Sequence, residues 1–538
     1  MKMKQSIVLI AAAVTLAVNV KAQTLEEGIK MYNYERYQTA KKILEPLAGT
    51  NPLANYYWGL SELQIGNKDK AREIFMKHPA HYANMGGLAR VLFVEGKADE
   101  GMKAATELAS KAKKKEWEQL RYAADAITYT EGGDANQATG WYKTALTNYD
   151  NNDVRVSLGD AFQKLNSGGG EAMSSYEKVV EKDPKNSLAF SRIGKLWYGA
   201  KNYALALENW NKAKDADPNN PLPYRDLADA YSYTGKYDLS KQNIEKYLEL
   251  SDKTDDDIEK YMDILFLSKS YKDAAAKAEE MIGKGIKKTR YYGILAFSQY
   301  ELKDSVNALK NAQTYFSKQV PEKIFPKDYR MYAKILLQNS KIEEANNYFN
   351  KAVEIDTAKN KSEAYRDNAE ALKQAKEYLM AAKWYNRLLA EYPDNAKAID
   401  YFWAANMAYY GKDYDAAARG YEQMETKFPD QPSATYWRGR VAMAVDNEAK
   451  DGLAIPYFEK WLGIQQQGYE RKKNDLMYAY QYMALYYYNK GDKANTEVYL
   501  KKIEEIDPEN SMLKQIRDLN GKPAAKPAAK PGKTGASK

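Results

Sequence analysis

Only two imidazoles occur in the 538 residues, His78 and His81, three apart around Pro79. A metal site would need further ligands in a defined geometry, and the nearest acids form no spaced cluster with them, so both read as turn histidines. Cysteine is absent, which removes thiol nucleophiles, disulfides and thiolate metal sites. Ser110/Lys113 and Ser175/Lys178, together with Lys533-Thr534-Gly535, match in letters the motifs of penicillin-interacting enzymes. That triplet lies in a Pro/Ala/Lys segment unable to form the strand such an enzyme needs, and Ser-x-x-Lys is frequent in a Lys-rich chain. No His-Glu-x-x-His, Gly-x-Ser-x-Gly or phosphate-binding Gly-x4-Gly-Lys-Ser/Thr occurs. The sequence therefore reads as non-enzymatic, with no cofactor and no metal.

The elements that would position any binding side chain are constrained by length. A single hydrophobic core stops growing near ~250–300 residues, so several domains or a repeat array is required. With 44 % apolar and 29 % charged residues the composition is that of a chain that folds and dissolves. The net charge of +8 sits at the ends. Lys2, Lys4 and Lys21 precede the first acid, and Lys522, Lys526, Lys530, Lys533 and Lys538 follow the last, leaving the body neutral. A neutral body with interspersed Lys and Glu does not make the basic face that nucleic acid requires.

Residues 1–22 read as a secretory signal: a basic start, an apolar run from Ile7 to Val18, and a small-residue exit at Val20-Lys21-Ala22. The run is too short to span a bilayer core of ~30 Å as a helix. No other stretch approaches that length, and no cysteine is present to carry a lipid anchor. The expectation is an exported protein, periplasmic or associated with the outer membrane, with no transmembrane segment once the signal is removed.

A fixed period is the strongest pattern in the chain. Phe190, Ile193 and Trp197 share one helical face, Gly194 and Ala206 leave room for two helices to approach, Trp210 and Ala213 continue the second helix, and Asp217-Pro218 ends it. The frame recurs at Tyr365, Ala369, Leu372, Ala381, Tyr385 and Pro393, and again at Tyr401, Ala405, Tyr414, Ala417, Tyr421 and Pro429. Gly28 to Pro52 forms the first clear unit and Tyr480 to Pro508 the last, with one copy, Gly439 to Trp461, stretched by about three residues. This spacing resembles the tetratricopeptide repeat, a helix–turn–helix unit of ~34 residues. The resemblance implies an all-α, right-handed superhelical solenoid of about fourteen repeats over 23–516, between the signal and a disordered Lys/Pro/Ala tail at 517–538. Spacing is looser at 111–116, 167–170, 283–288 and 319–327, which read as irregular turns or hinges.

The same resemblance implies that the first helix of each repeat lines a concave, partner-binding groove. Counting from the signature places puts Tyr198, Arg225, Phe266, Phe297, Tyr300, Arg330, Lys334, Arg366, Phe402, Asn406, Tyr409, Tyr410 and Tyr488 there. Aromatic residues and arginine are the types favoured at protein-binding hot spots. They also stack on sugar rings, which leaves glycan or peptidoglycan binding as the alternative. The Lys and Asn one turn apart, with which one subclass of the family grips chaperone C-termini, are not found in the securely aligned units. The implied function is a scaffold or assembly factor of the bacterial cell envelope, with envelope or outer-membrane proteins as partners. The basic tail reads either as a solubilising arm or as an electrostatic tether to anionic envelope polymers, one that salt would weaken.

Overall fold

The computed structural model describes residues 24–113 and 116–521; the stretch read as a secretory signal, 1–22, and the part of the expected tail beyond 521 lie outside them. The described residues form fourteen helical hairpins and one further helix, divided between two units that meet at Ile286/Lys287. That division falls inside the irregular stretch at 283–288.

The first unit stacks eight hairpins: α1 (24–33) with α2 (Tyr37–Leu44), α3 (Pro52–Gln64) with α4 (Lys68–Phe75), α5 (Tyr82–Val94) with α6 (Ala98–Ser110), α7 (Trp117–Thr128) with α8 (Ala135–Asn148), α9 (Asn152–Phe162) with α10 (Gly169–Lys182), α11 (Ser187–Gly199) with α12 (Tyr203–Ala216), α13 (Leu222–Tyr233) with α14 (Tyr237–Leu250), and α15 (Asp255–Leu267) with α16 (Tyr271–Gly283). The second stacks six: α17 (Arg290–Glu301) with α18 (Ser305–Lys318), α19 (Pro326–Gln338) with α20 (Ile342–Glu354), α21 (Ser362–Gln374) with α22 (Tyr378–Glu391), α23 (Ala398–Tyr410) with α24 (Tyr414–Lys427), α25 (Pro432–Val445) with α26 (Ile455–Gly463), and α27 (Lys473–Asn489) with α28 (Lys493–Ile506). A last helix, α29 (Ser511–Gly521), covers the end. It runs past residue 516, where the sequence reading ends the solenoid, because Leu513 and Ile516 bury against Leu500 and Ile503 and Arg517 reaches Glu497 and Glu504.

The small residues of the period lie where two helices cross. A Cβ on Gly59 would stand 2.4 Å from the Phe75 ring, and one on Gly194 would stand 2.5 Å from the Trp210 indole. Ala206 and Ala213 are wholly buried. A lone hairpin leaves its apolar face in water, so each packs on the next, and in the first unit one continuous core runs from Tyr56 to Ile193.

Most turns inside a hairpin end the first helix on a left-handed residue. Gly66, Gly96 and Gly235 supply it at φ between 73° and 88°. Elsewhere Lys201, Lys269 and Lys412 do so at 59–65°, accepting the Cβ strain while placing a cation at the helix C-terminus.

The stretched copy contains a loop between α25 and α26 built on one carboxylate. Asp446 accepts the N–H groups of Lys450, Asp451, Gly452 and Leu453 at 2.8–3.3 Å and the Tyr482 hydroxyl at 2.5 Å. Burial pushes this carboxyl up, but the hydroxyl and the backbone donors outweigh it and hold it below the usual range.

Candidate partner-binding surfaces

In the second unit the first helices of three successive repeats, α17, α19 and α21, line a cleft of about 300 Å³. Its walls carry Tyr300, Lys303, Lys334 and Gln338, and Ala371 and Ala375 leave it open where larger side chains would fill it. Among the described residues neither lysine has an ion-pair partner, whereas arginines on the first helices of this unit are paired within the chain. Arg366 grips Asp400 through two bonds of 2.8 Å, and Asp400 also caps α23 through the Lys397 N–H. Arg290 meets Asp328 at 3.4 Å, and Arg330 lies 3.8 Å from Asp356. The Gln338 amide donates to the Tyr300 carbonyl while its buried oxygen has no partner. Burial raises the Tyr300 phenol, so it stays a neutral donor at the cleft wall.

Further along this unit, rings gather on α23, α25 and α27. Tyr409 meets Tyr410 at 80° and Trp437 at 79°, while Phe402 meets Trp437 at 78°. The Arg440 guanidinium lies 3.9 Å over Tyr478. Edge-to-face packing of this kind joins rings to one another. Trp437 also stacks on the buried Tyr421 ring at 16°, and the Tyr487 and Tyr499 rings lie within 2° of parallel.

In the first unit the face of α9, α11 and α13 carries a charge network. Asp160 accepts Arg192 at 2.8 and 3.2 Å, Tyr129 at 3.0 Å and Tyr176 at 2.7 Å, and its charge raises the Arg192 guanidinium further. Lys195 lies 3.6 Å from Asp226. A separate cleft of about 540 Å³ holds Tyr198, Asp229, Tyr233, Lys260 and Leu267.

The residues expected in the groove divide accordingly. Tyr300 and Lys334 come together in the cleft of the second unit, and Tyr198 lines the cleft of the first. Tyr410 is half exposed, against Tyr378. Phe297 and Asn406 are corrected: they are 6 % and 2 % exposed, Phe297 lying under the Tyr315 ring and Asn406 donating to the Tyr421 hydroxyl. Arg225, Arg330 and Arg366 are held in ion pairs within the chain. Phe266 packs edge-on to Tyr271, Phe402 and Tyr409 pack on Trp437, and Tyr488 packs on the terminal core rather than standing free. Lys303 and Gln338 were missed because the count took only one helix face, and both lie at or beyond the helix end. The two histidines are turn residues: His78 bonds the Ala48 carbonyl, and His81 caps α5 by accepting the Ala83 N–H.

Two family models described as tetratricopeptide repeat match the chain, at residues 331–396 and 224–254, which correspond to α19–α22 and α13–α14. No curated protein matches it. Among solved structures, the C-terminal part of a tetratricopeptide repeat-containing protein from Cytophaga hutchinsonii is 26 % identical, with 48 % of this chain and 98 % of that one covered at a TM-score of 0.39. A tetratricopeptide repeat protein from Parabacteroides merdae is 19 % identical, with 48 % and 98 % covered at a TM-score of 0.33. YrrB, described as a tetratricopeptide repeat protein with an unusual peptide-binding site, is 15 % identical over 35 % of this chain and 95 % of its own, at a TM-score of 0.29. The chain is a tetratricopeptide-repeat protein, and its repeats mark it as a scaffold for protein–protein interaction.

Proposed function

We propose that the protein is an exported, non-catalytic scaffold of the bacterial cell envelope that holds partner proteins on the first-helix faces of its repeats. The observation that carries the reading is the cleft between α17, α19 and α21, where among the described residues no carboxylate pairs with Lys303 or Lys334. An acidic side chain on an extended partner segment fits that cleft, with Tyr300 and Gln338 as further hydrogen-bonding groups. Export rests on the basic and apolar pattern of residues 1–22. A scaffold needs no reactive group, in keeping with a sequence that carries no cysteine and two turn histidines.

The test is capture of the tagged full-length protein after crosslinking in cells, with mass spectrometry of the envelope fraction. The arms are the native chain, a Lys303→Glu/Lys334→Glu variant and a chain lacking 522–538. A stoichiometric set of envelope proteins should be recovered with the native chain and depleted by the charge reversal. Recovery of glycan fragments alone, or of the same proteins with the reversed charges, would contradict the reading. Loss of polymer contacts on deleting 522–538 or adding salt would assign the basic segment as a tether.

A further inference from the structure

The first hairpin, α1–α2, has two unlike neighbours. On one side Met31, Tyr34, Leu44 and Ala48 bury with Trp58 and Ile74 in an apolar core shared with α3 and α4. On the other side it meets residues far along the same unit through polar groups. The Arg225 guanidinium donates to both Glu35 oxygens, at 2.5 and 3.5 Å. Asp217 accepts the Tyr34 hydroxyl and lies 3.6 Å from the Lys30 ammonium. Asp252 accepts the N–H groups of Gln38 and Thr39 at 2.8 and 3.1 Å and lies 3.6 Å from Arg36. The turn of the first hairpin thus meets α13 and the loops that follow α12 and α14 in its own unit.

Local physics argues against the residue at the centre of this contact. Glu35 ends α1 in the left-handed region, at φ 59°, where a Cβ is strained and a helix C-terminus repels an anion. Described turns of the same kind carry Gly, Lys or Ser there, as at Gly66, Lys201, Lys269 and Ser340. The compensating interaction is the distant one. Burial pushes the Glu35 carboxyl up, yet Arg225, Lys195 and Arg192 together hold it below the usual range. The rings of Tyr34 and Tyr37 flank it in sequence.

We propose that the surface around Arg225, with Asp217 and Asp252 beside it, is a docking site for a partner segment that presents a carboxylate between aromatic residues, and that the first hairpin occupies it until displaced. The proposal rests on the first-helix faces being the partner surface, and it names the chemistry recognised in the first unit. Partly exposed ion pairs each contribute little and weaken with salt, so the polar seam is the joint that opens. The apolar core with α3 and α4 keeps the hairpin in the stack when it does.

The chain has no cysteine, so spin labels can be placed on Lys42→Cys and Gln242→Cys, both exposed, on α2 and α14. Double electron–electron resonance on the full-length protein then reads the seam. The probe is a synthetic peptide copying residues 30–39, with a control peptide in which Glu35 is replaced by Lys. We expect one short distance in low salt and a second, longer one as the peptide carrying Glu35 is added. The control should need at least ~10-fold more peptide, about 1.4 kcal/mol. Glu35→Arg should open the seam without peptide, and Glu35→Arg combined with Arg225→Glu should close it again. A distance unmoved by Glu35→Arg and by peptide, or equal opening by both peptides, would overturn the docking site. A partner that crosslinks to the Lys303/Lys334 cleft while the labels stay fixed would overturn it too, and would leave the scaffold reading intact.

Discussion

Removing the Asp446 carboxylate should unfasten the thirteenth hairpin, and the structure sets the size of the effect. Five donors converge on this side chain, four of them on Oδ2. Two of the five, the Gly452 N–H and the Tyr482 hydroxyl, bond to it in buried surroundings. A buried donor left without a partner costs ~1–3 kcal/mol, whereas the more exposed donors turn to water, so Asp446→Ala should cost about 4 kcal/mol. Asp446→Asn keeps one oxygen where four of the bonds meet and loses the charge and the Lys450 contact, for about 1–2 kcal/mol. Global melting in a repeat array mixes many local openings, so the assay is hydrogen exchange of the amides at 450–454. The alanine variant should exchange there roughly a thousandfold faster, with little change in the first unit, and the asparagine variant about tenfold faster. Unchanged protection at Gly452 in the alanine variant, or an asparagine variant as damaged as the alanine one, would refute the carboxylate as the organiser of the loop.

Three further outcomes follow from packing, backbone and charge. Ala206 is wholly buried at a helix crossing, so Ala206→Leu should overpack the α11–α12 hairpin and cost ~1–3 kcal/mol, read as a lower urea midpoint for the first unit. Lys412 holds a left-handed turn at φ 65°, so Lys412→Gly should raise the melting temperature, with a gain of about 0.5–1 kcal/mol. Glu425 is pushed up by burial but held down to about 2 by Thr435, Lys460 and Arg438. Its folded-state value lies below the unfolded one, so its contribution is complete above pH ~4.5 and is lost as pH falls toward 2. After allowance for solvent screening this amounts to about 1 kcal/mol, and Glu425→Gln should flatten that part of the acid-denaturation curve.

The repeat register was legible because each hairpin must satisfy the same crossing. Gly194 needs Trp210, and Ala206 and Ala369 need room, so the small and large residues recur in phase whatever the surface does. Even the stretched copy was visible from Gly439 and Trp461, although its cause, the Asp446 loop, depends on a ring from the next hairpin. The binding face was less legible. A count along the helix gives direction but not cover, and the Tyr315 ring and the Tyr421 hydroxyl take Phe297 and Asn406 out of reach. Pairing was hidden for a different reason: Arg225 meets Glu35 across 190 residues, a separation no local pattern encodes. The lysine-ended turns were missed because glycine is the usual signal there, and Lys201, Lys269 and Lys412 do the same work at a strained φ.

Site-specific photo-crosslinking tests the central claim most directly. A photoreactive phenylalanine analogue is placed at Lys334 or Gln374 in the cleft, and at Lys310 or Glu354 on the exposed faces of the second helices α18 and α20. The account predicts that a discrete partner protein is captured from the envelope at the two cleft positions and not at the two outer ones. Equal capture at all four positions, or capture only from α18 and α20, would contradict it.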